Sequence, residues 1–327
     1  MGKATRPSPA RLDEINLRQD PPGFGSKYVP AIKASREEAP PRSRAAWVWW
    51  ERAQRYLSTL SSVERAVLMV CLYNDRVWEI HDQRMLPTAP RPHPLAGHPR
   101  AQGLILPSMR GTLEIAESLG ALALHPVIVV KEVPGRPDLI EVPFPWVGDF
   151  LLFLEDEQGP YCVNLTIKGS AAEFEEDAAG AVKTRSRARA SREKARVRHA
   201  VERQLYADIG VRTVQISAAD VDAGVVSTLT QLHLWHRRKS PFSVEQRRTL
   251  LDNFQAALVN GIPLLDVLHT LSARRRWGVE AMKVVLFQSI WQRELRVDLF
   301  SPIFIDRPLR PEARDVLDVY SAWFRRS

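Results

Sequence analysis

Hydrophobic positions change their spacing several times along this chain, and each change marks an element. After a Ser61-Ser62 pair suited to capping, Val63, Val67, Val70 and Cys71 follow helical intervals and predict a helix over 61–74. The apolar, aromatic stretch before it, 45–60, fits either a strand or a helix. A short helix is expected over 111–119, followed by strand-like runs at 126–130, 139–142, 150–154 and 161–167. Residues 174–210 read as helical, and 211–217 alternate as a strand. Helix, mixed strands, helix, strand is the order of an α/β domain with a central mixed β-sheet, expected over 46–217.

A second, mainly α module is expected over 218–327. Its helical segments fall at 220–235, 244–260, 263–274 and 279–292; Pro241 and Ser243 open one, and Gly261-Ile262-Pro263 reads as a stop followed by a start. Residues 295–300 and 303–309, joined at Ser301-Pro302, alternate as a small hairpin. Three helices plus a hairpin is the winged-helix order. Two segments lack periodicity. Residues 1–45 hold seven prolines among lysines and arginines and predict a mostly extended basic arm, in which 23–32 are apolar enough to dock. Residues 87–107 predict a proline- and histidine-rich loop inserted in the first domain.

Composition narrows the class. In 327 residues, 45% hydrophobic and 26% charged content is globular and leaves room for two domains. A formal charge of +8 and a pI near 9.7 suit an anionic partner. No apolar run approaches the ~18 residues of a membrane span, and no secretory signal is read, so the expected location is the cytoplasm, at the nucleoid when acting. The two cysteines, Cys71 and Cys162, sit in apolar contexts and are expected to be reduced core residues, which excludes a cysteine zinc site.

The candidate chemistry lies at the ends of one predicted hairpin. Asp149 precedes the first strand and Lys168 closes the second, 168 − 149 = 19 residues apart, so a tight hairpin brings both to one end of the sheet. Glu64, on the helix that must pack against this sheet, is the best-placed further acid. Two carboxylates and a backbone carbonyl offer Mg²⁺ three hard oxygens and leave positions for water and phosphate. Lys168 is then placed to orient water and steady phosphate charge, the needs of phosphodiester hydrolysis. The plainer alternative, on pattern alone, is a solvated strand end.

Segments 23–32, 61–87, 112–120, 125–128, 148–154, 163–170 and 197–221 occur in an order that resembles the TnsA endonuclease family, one subunit of heteromeric cut-and-paste DNA transposases. The resemblance runs from about residue 23 into the second module, where it holds by residue type more than by letter. It implies a restriction-endonuclease-like first domain and a winged-helix second domain. It assigns the first acid to Glu64, upstream of the segment Val77-Trp78-Glu79-Ile80-His81-Asp82-Gln83. The second acid is Asp149, heading Asp149-Phe150-Leu151, and the lysine is Lys168, closing Thr166-Ile167-Lys168. Relatives carry Gln or Glu where Thr166 stands, so the metal leans on Glu64, Asp149 and the carbonyl of Ile167. The implied activity is Mg²⁺-dependent (Mn²⁺ the alternative ion) nicking of the 5′ ends of double-stranded transposon DNA. A TnsB-like transposase cuts and joins the 3′ ends, and a TnsC-like AAA+ regulator is the further partner. The alternative is an assembly factor with a degenerate nuclease domain.

Residues 183–203 hold nine lysines and arginines against two glutamates. Lys183, Arg185, Arg187, Arg189, Arg192, Lys194, Arg196 and Arg198 are the candidate phosphate contacts, with a solvated helix face as the alternative. Glu202 is read as an ion-pair partner of a nearby arginine, His81, His93, His98 and His125 as turn or surface residues, and Trp47, Trp49 and Trp50 as core. The segment 279–292 carries Lys283 but is mainly apolar, which suits protein binding better than groove reading; Arg274–Arg276 and Arg237–Lys239 remain candidates for unspecific backbone contact.

Overall fold

The computed structural model describes residues 7–41, 43–131, 139–174 and 185–326. In chain order the elements are helix α1 (Pro9–Gln19), strands β1 (Ala46–Trp50) and β2 (Arg55–Thr59), helix α2 (Ser62–Tyr73), strand β3 (Val77–Met85) and helix α3 (Thr112–Ser118). Strands β4 (Val127–Lys131), β5 (Leu139–Pro143), β6 (Val147–Asp156) and β7 (Gly159–Lys168) precede helix α4 (Arg185–Ala207) and strand β8 (Arg212–Ser217). Helices α5 (Ala223–His236), α6 (Val244–Asn260), α7 (Leu264–Arg275), α8 (Val279–Trp291) and the short α9 (Val316–Val319) follow. The protein is a mixed α/β molecule, and no described helix is long and apolar enough to cross a membrane.

The chain divides into two compact units. The first takes in the described residues up to Arg65, Arg76–Asp220 and the chain from Trp323; the second is Ala66–Asp75 with Val221–Ala322. A four-stranded sheet in the order β3-β6-β7-β8 centres the first unit, antiparallel except for the parallel β7–β8 pair. Five consecutive residues of β6, Phe150 to Leu154, are at most 1% exposed, as a central strand covered on both faces requires. The C-terminal residues fasten the hairpin of β6 and β7: Tyr161 donates to the carbonyl of Phe324 (2.8 Å), and Arg326 pairs with Asp156 (2.6 Å).

Four expectations change here. Residues 9–19 are helical rather than extended, because Pro9 occupies the first turn, where a missing N–H is harmless, and Ser8 caps it. Ile15 then packs with Ala31 and Met85, while Arg11 and Arg18 converge on Glu38. Burial alone would raise the Glu38 carboxyl, yet Arg18, the Lys33 N–H and Arg11 hold it down at about 2. Strands β4 and β5 pair with each other as a separate ribbon and do not join the central sheet. Strand β3 was not expected, since Glu79, His81, Asp82, Gln83 and Arg84 hide its apolar alternation. These polar groups are buried in partnerships: Arg55 reaches Asp82 (2.6 Å) and Glu79 (3.6 Å), Ser58 N donates to Asp82 (2.6 Å), and Gly25 N donates to Glu79 (2.5 Å). His81, His93 and His125 are buried as well, contrary to a surface reading; His81 stacks on Tyr28 with centroids 3.9 Å apart.

In the second unit α8 is the central helix, packed by α5, α6 and α7, with every residue from Val284 to Ile290 buried. The expected hairpin over 295–309 is replaced by a loop closed by one bridge, Val297 to Pro311, with Asp298 N donating to Arg310 O (2.9 Å). Pro302, Pro308 and Pro311 remove donors that a ladder needs.

Candidate active site

Glu64 enters on the first turn of α2, where Ser61 Oγ accepts its backbone N–H (3.0 Å) and fixes the helix start. The side chain is 6% exposed, and its Oε2 accepts from Leu60 N (2.7 Å) and Gln83 Nε2 (3.0 Å). Asp149, near the start of β6, accepts from Ile167 N at Oδ2 (2.6 Å), which ties it across to β7 one residue before Lys168. Gln83 lies between the strand pairs Asp82–Phe150 and Arg84–Gly148, level with Asp149. Continuing the β6–β7 register past Phe150–Leu165 puts Asp149 level with Thr166, which pairs with Gln215 of β8. Four polar residues from four strands thus form one row across the sheet.

The charges of Asp149 and Lys168 both act on Glu64, so the structure brings the three expected residues together. Burial first, and then the negative charge of Asp149, push the Glu64 carboxyl up to about 8; the Leu60 N–H, the Ser61 hydroxyl and Lys168 oppose the shift. Lys168 is partly exposed, pairs in the sheet with Ser217, and makes no ion pair within 4 Å among the described residues.

This donor set fits a hard divalent cation. A cation placed between two neighbouring carboxylates stabilises their charge. Thr166 Oγ1 is buried beside them with no hydrogen-bond partner and offers a neutral oxygen where a carboxylate or amide was expected. With the Ile167 carbonyl, the donors are all oxygen, the preference of Mg²⁺ and Mn²⁺. No group of three or more His, Cys, Asp or Glu side chains suited to a metal occurs among the described residues, so an ion here relies on two acids and neutral oxygens.

Gln83 had no role in the sequence reading. Its signal was faint, a glutamine inside a polar run, and only the β3–β6 register shows it facing the acids. Glu202 is fully buried; it accepts from Asn164 Nδ2 (3.1 Å), lies 3.8 Å from His199 Nδ1, and has the charge of Arg198 acting on its carboxylate, with no arginine within 4 Å among the described residues. A Cβ on Gly148 would meet Glu202 Oε1 at 3.0 Å, so the glycine before Asp149 admits this carboxylate against β6.

Along α4, Arg192, Lys194 and Arg196 are exposed. Arg198 is not a free contact, because its Nη2 donates to the carbonyl of Val147 (2.8 Å). Arg185, Arg187 and Arg189 lie on the first turns of the helix, and Lys183 lies outside the described residues. The tryptophan cluster is split: Trp50 is core, whereas Trp47 is 56% exposed and packs on Tyr56 at 6.1 Å. Alternation along β1 separates them onto opposite faces. No family model matches this sequence, and no curated protein matches it.

Proposed function

We propose that this chain is a divalent-metal-dependent DNA endonuclease, its first unit restriction-endonuclease-like and its second a helical module for protein partners, of winged-helix type in its helices but without the wing hairpin. The observation that supports this most is geometric: Gln83, level with Asp149 in the sheet, holds Glu64, while the Ile167 N–H ties Asp149 to β7 one residue before Lys168. Following the family resemblance, the substrate is double-stranded transposon-end DNA, nicked at its 5′ ends while a TnsB-like transposase handles the 3′ ends and a TnsC-like regulator governs the complex.

Bound Mg²⁺ would supply a polarised phosphate and a more acidic water. The residues contribute the rest. Glu64, once it has lost its proton, and Asp149 would hold the ion through charged oxygens. Gln83 and the Leu60 amide keep Glu64 aimed. Lys168 can orient the attacking water and offset charge growing on the phosphate. Arg192, Lys194 and Arg196 would hold the duplex by its phosphates without reading its bases.

The test is 5′-nicking of labelled transposon-end DNA with purified partners and Mg²⁺. Asp149→Ala or Lys168→Ala should abolish the nick while the complex still assembles; nicking at the wild-type rate by either variant overturns the reading. Thr166 favours a second reading, a catalytically weak assembly factor. Assembly without 5′ nicks at any Mg²⁺ concentration would support it, whereas EDTA-sensitive nicks support the enzyme.

A further inference from the structure

The insertion at 87–107 has no part in the chemistry above, yet it is a folded lobe. Arg91 and Met109 bridge its ends with reciprocal N–H···O bonds of 3.0 and 2.8 Å. Leu95, Ala101 and Met109 are buried in the core, and His93 Nδ1 accepts from Leu95 N (3.0 Å). Between this lobe, the segment after α1 and the end of β3 lies a cavity of about 450 Å³. Its walls are largely apolar, with Pro21, Pro22, Phe24, Pro92, Pro94 and Met109 among them.

Arg84 also lines this cavity and is 8% exposed. Its one hydrogen-bond acceptor among the described residues is His81 Nδ1, on a ring kept neutral by burial and by the charges of Arg84 and Arg55. None of the described carboxylates lies within 4 Å of its guanidinium, unlike buried Arg55, which has Asp82, or Arg11, which has Glu38. Arg84 is thus a nearly buried cation on the cavity wall. Asp20 and Arg91, which also line it, pair with each other. With a neutral ring as its acceptor and no carboxylate within 4 Å among the described residues, the Arg84 guanidinium would gain a charge-assisted partner from an anion in the cavity.

We propose that this cavity binds a small organic monocarboxylate, its carboxylate on Arg84 and its apolar body against the prolines and Phe24. One uncompensated positive charge suits a monoanion; a phosphate dianion would leave negative charge unmatched among prolines. The volume lies within the roughly 300–1,000 Å³ of small-molecule pockets.

The test follows the methyl resonances of Met85 and Met109 in ¹³C-methionine-labelled full-length protein during titration with phenylacetate, phenylacetamide and N-acetyl-Ala-Phe. Phenylacetate should give saturable shifts, with the amide weaker by at least about tenfold, as for loss of a charged hydrogen bond. Arg84→Met should lose binding. Ala96→Phe, which fills the cavity and keeps Arg84, should lose it too and decides the matter if Arg84→Met does not fold. Equal affinity for acid and amide, binding retained in Ala96→Phe, or no shift with phenylacetate overturns the proposal. Tighter binding of the peptide than of phenylacetate overturns the small-molecule assignment.

Discussion

Gln83 donates from Nε2 to Oε2 of Glu64 at 3.0 Å, and it does so from a left-handed backbone with φ of +48°. A non-glycine residue in that region carries strain of about 1–2 kcal/mol. The Gln83 carbonyl also accepts from Ala31 N (2.9 Å), which helps to hold the conformation. The strained residue stands level with Asp149, so one strained position of β3 carries the amide that aims one acid beside the other.

Gln83→Ala should therefore weaken Mn²⁺ binding and 5′ nicking by about 10–100-fold, the usual effect of losing a residue that orients a metal ligand. Gln83→Gly removes the same amide but relieves the backbone. It should be as impaired as Gln83→Ala, yet more resistant to urea. Mn²⁺ binding followed by electron paramagnetic resonance, with urea unfolding of both variants, checks the pair of outcomes.

Glu64 makes stability and metal affinity depend on pH in opposite directions. Its carboxyl holds a proton to about pH 8 in the folded chain, against an ordinary value of 4.5. The folded state thus binds more protons than the unfolded state between these values, and metal-free stability should fall as pH rises from about 4.5 to about 8. Glu64→Gln should remove that contribution to the slope. A metal must displace the same proton, so Mn²⁺ affinity should rise with pH by up to about tenfold per unit below pH 8. Melting curves and Mn²⁺ titrations across this range are the measurement; a pH-independent Mn²⁺ affinity would contradict the shift.

Arg55 and Asp82 form a buried ion pair at 2.6 Å beneath the β1–β2 hairpin, with Asp82 also accepting from Ser58 N. Asp82→Ala leaves the guanidinium without its nearest countercharge and should cost about 3–5 kcal/mol in urea unfolding. Arg55→Met with Asp82→Leu should recover part of that loss, because neither charge is then buried.

Lys194 and Arg196, exposed on α4, differ from Arg198 in what they can give DNA. If each exposed cation neutralises one phosphate, changing it to Gln should reduce the slope of log affinity against log salt by about 0.9. Arg198→Gln should instead lower thermal stability, since its partner is the Val147 carbonyl. Salt-dependent DNA-binding isotherms with matched melting curves distinguish the two classes.

The sequence pattern reached the apolar strands β6 and β7, the capped helix α2 and the second-unit helices, because burial of one face imposes a period on the residues. It missed β3 because charge pairing, not apolar alternation, makes that strand fit its place. It missed α1 because Pro9 at a helix start resembles a breaker when Ser8 is not weighed with it. Glu64, Asp149 and Lys168 were proposed from residue type, order and the family resemblance. Gln83 was not, since its place depends on a register that no local pattern encodes, nor was the loss of Arg198 to the Val147 carbonyl.

The β6–β7 hairpin closes over few residues, whereas Glu64 is separated from Asp149 by 149 − 64 = 85 positions. Local pairing forms early and distant pairing late, because loop closure opposes the latter. A chain caught midway through folding can hold Asp149 near Lys168 while Glu64 is still elsewhere, and has no carboxylate pair. The acid pair is therefore a product of complete folding, and incompletely folded copies lack it.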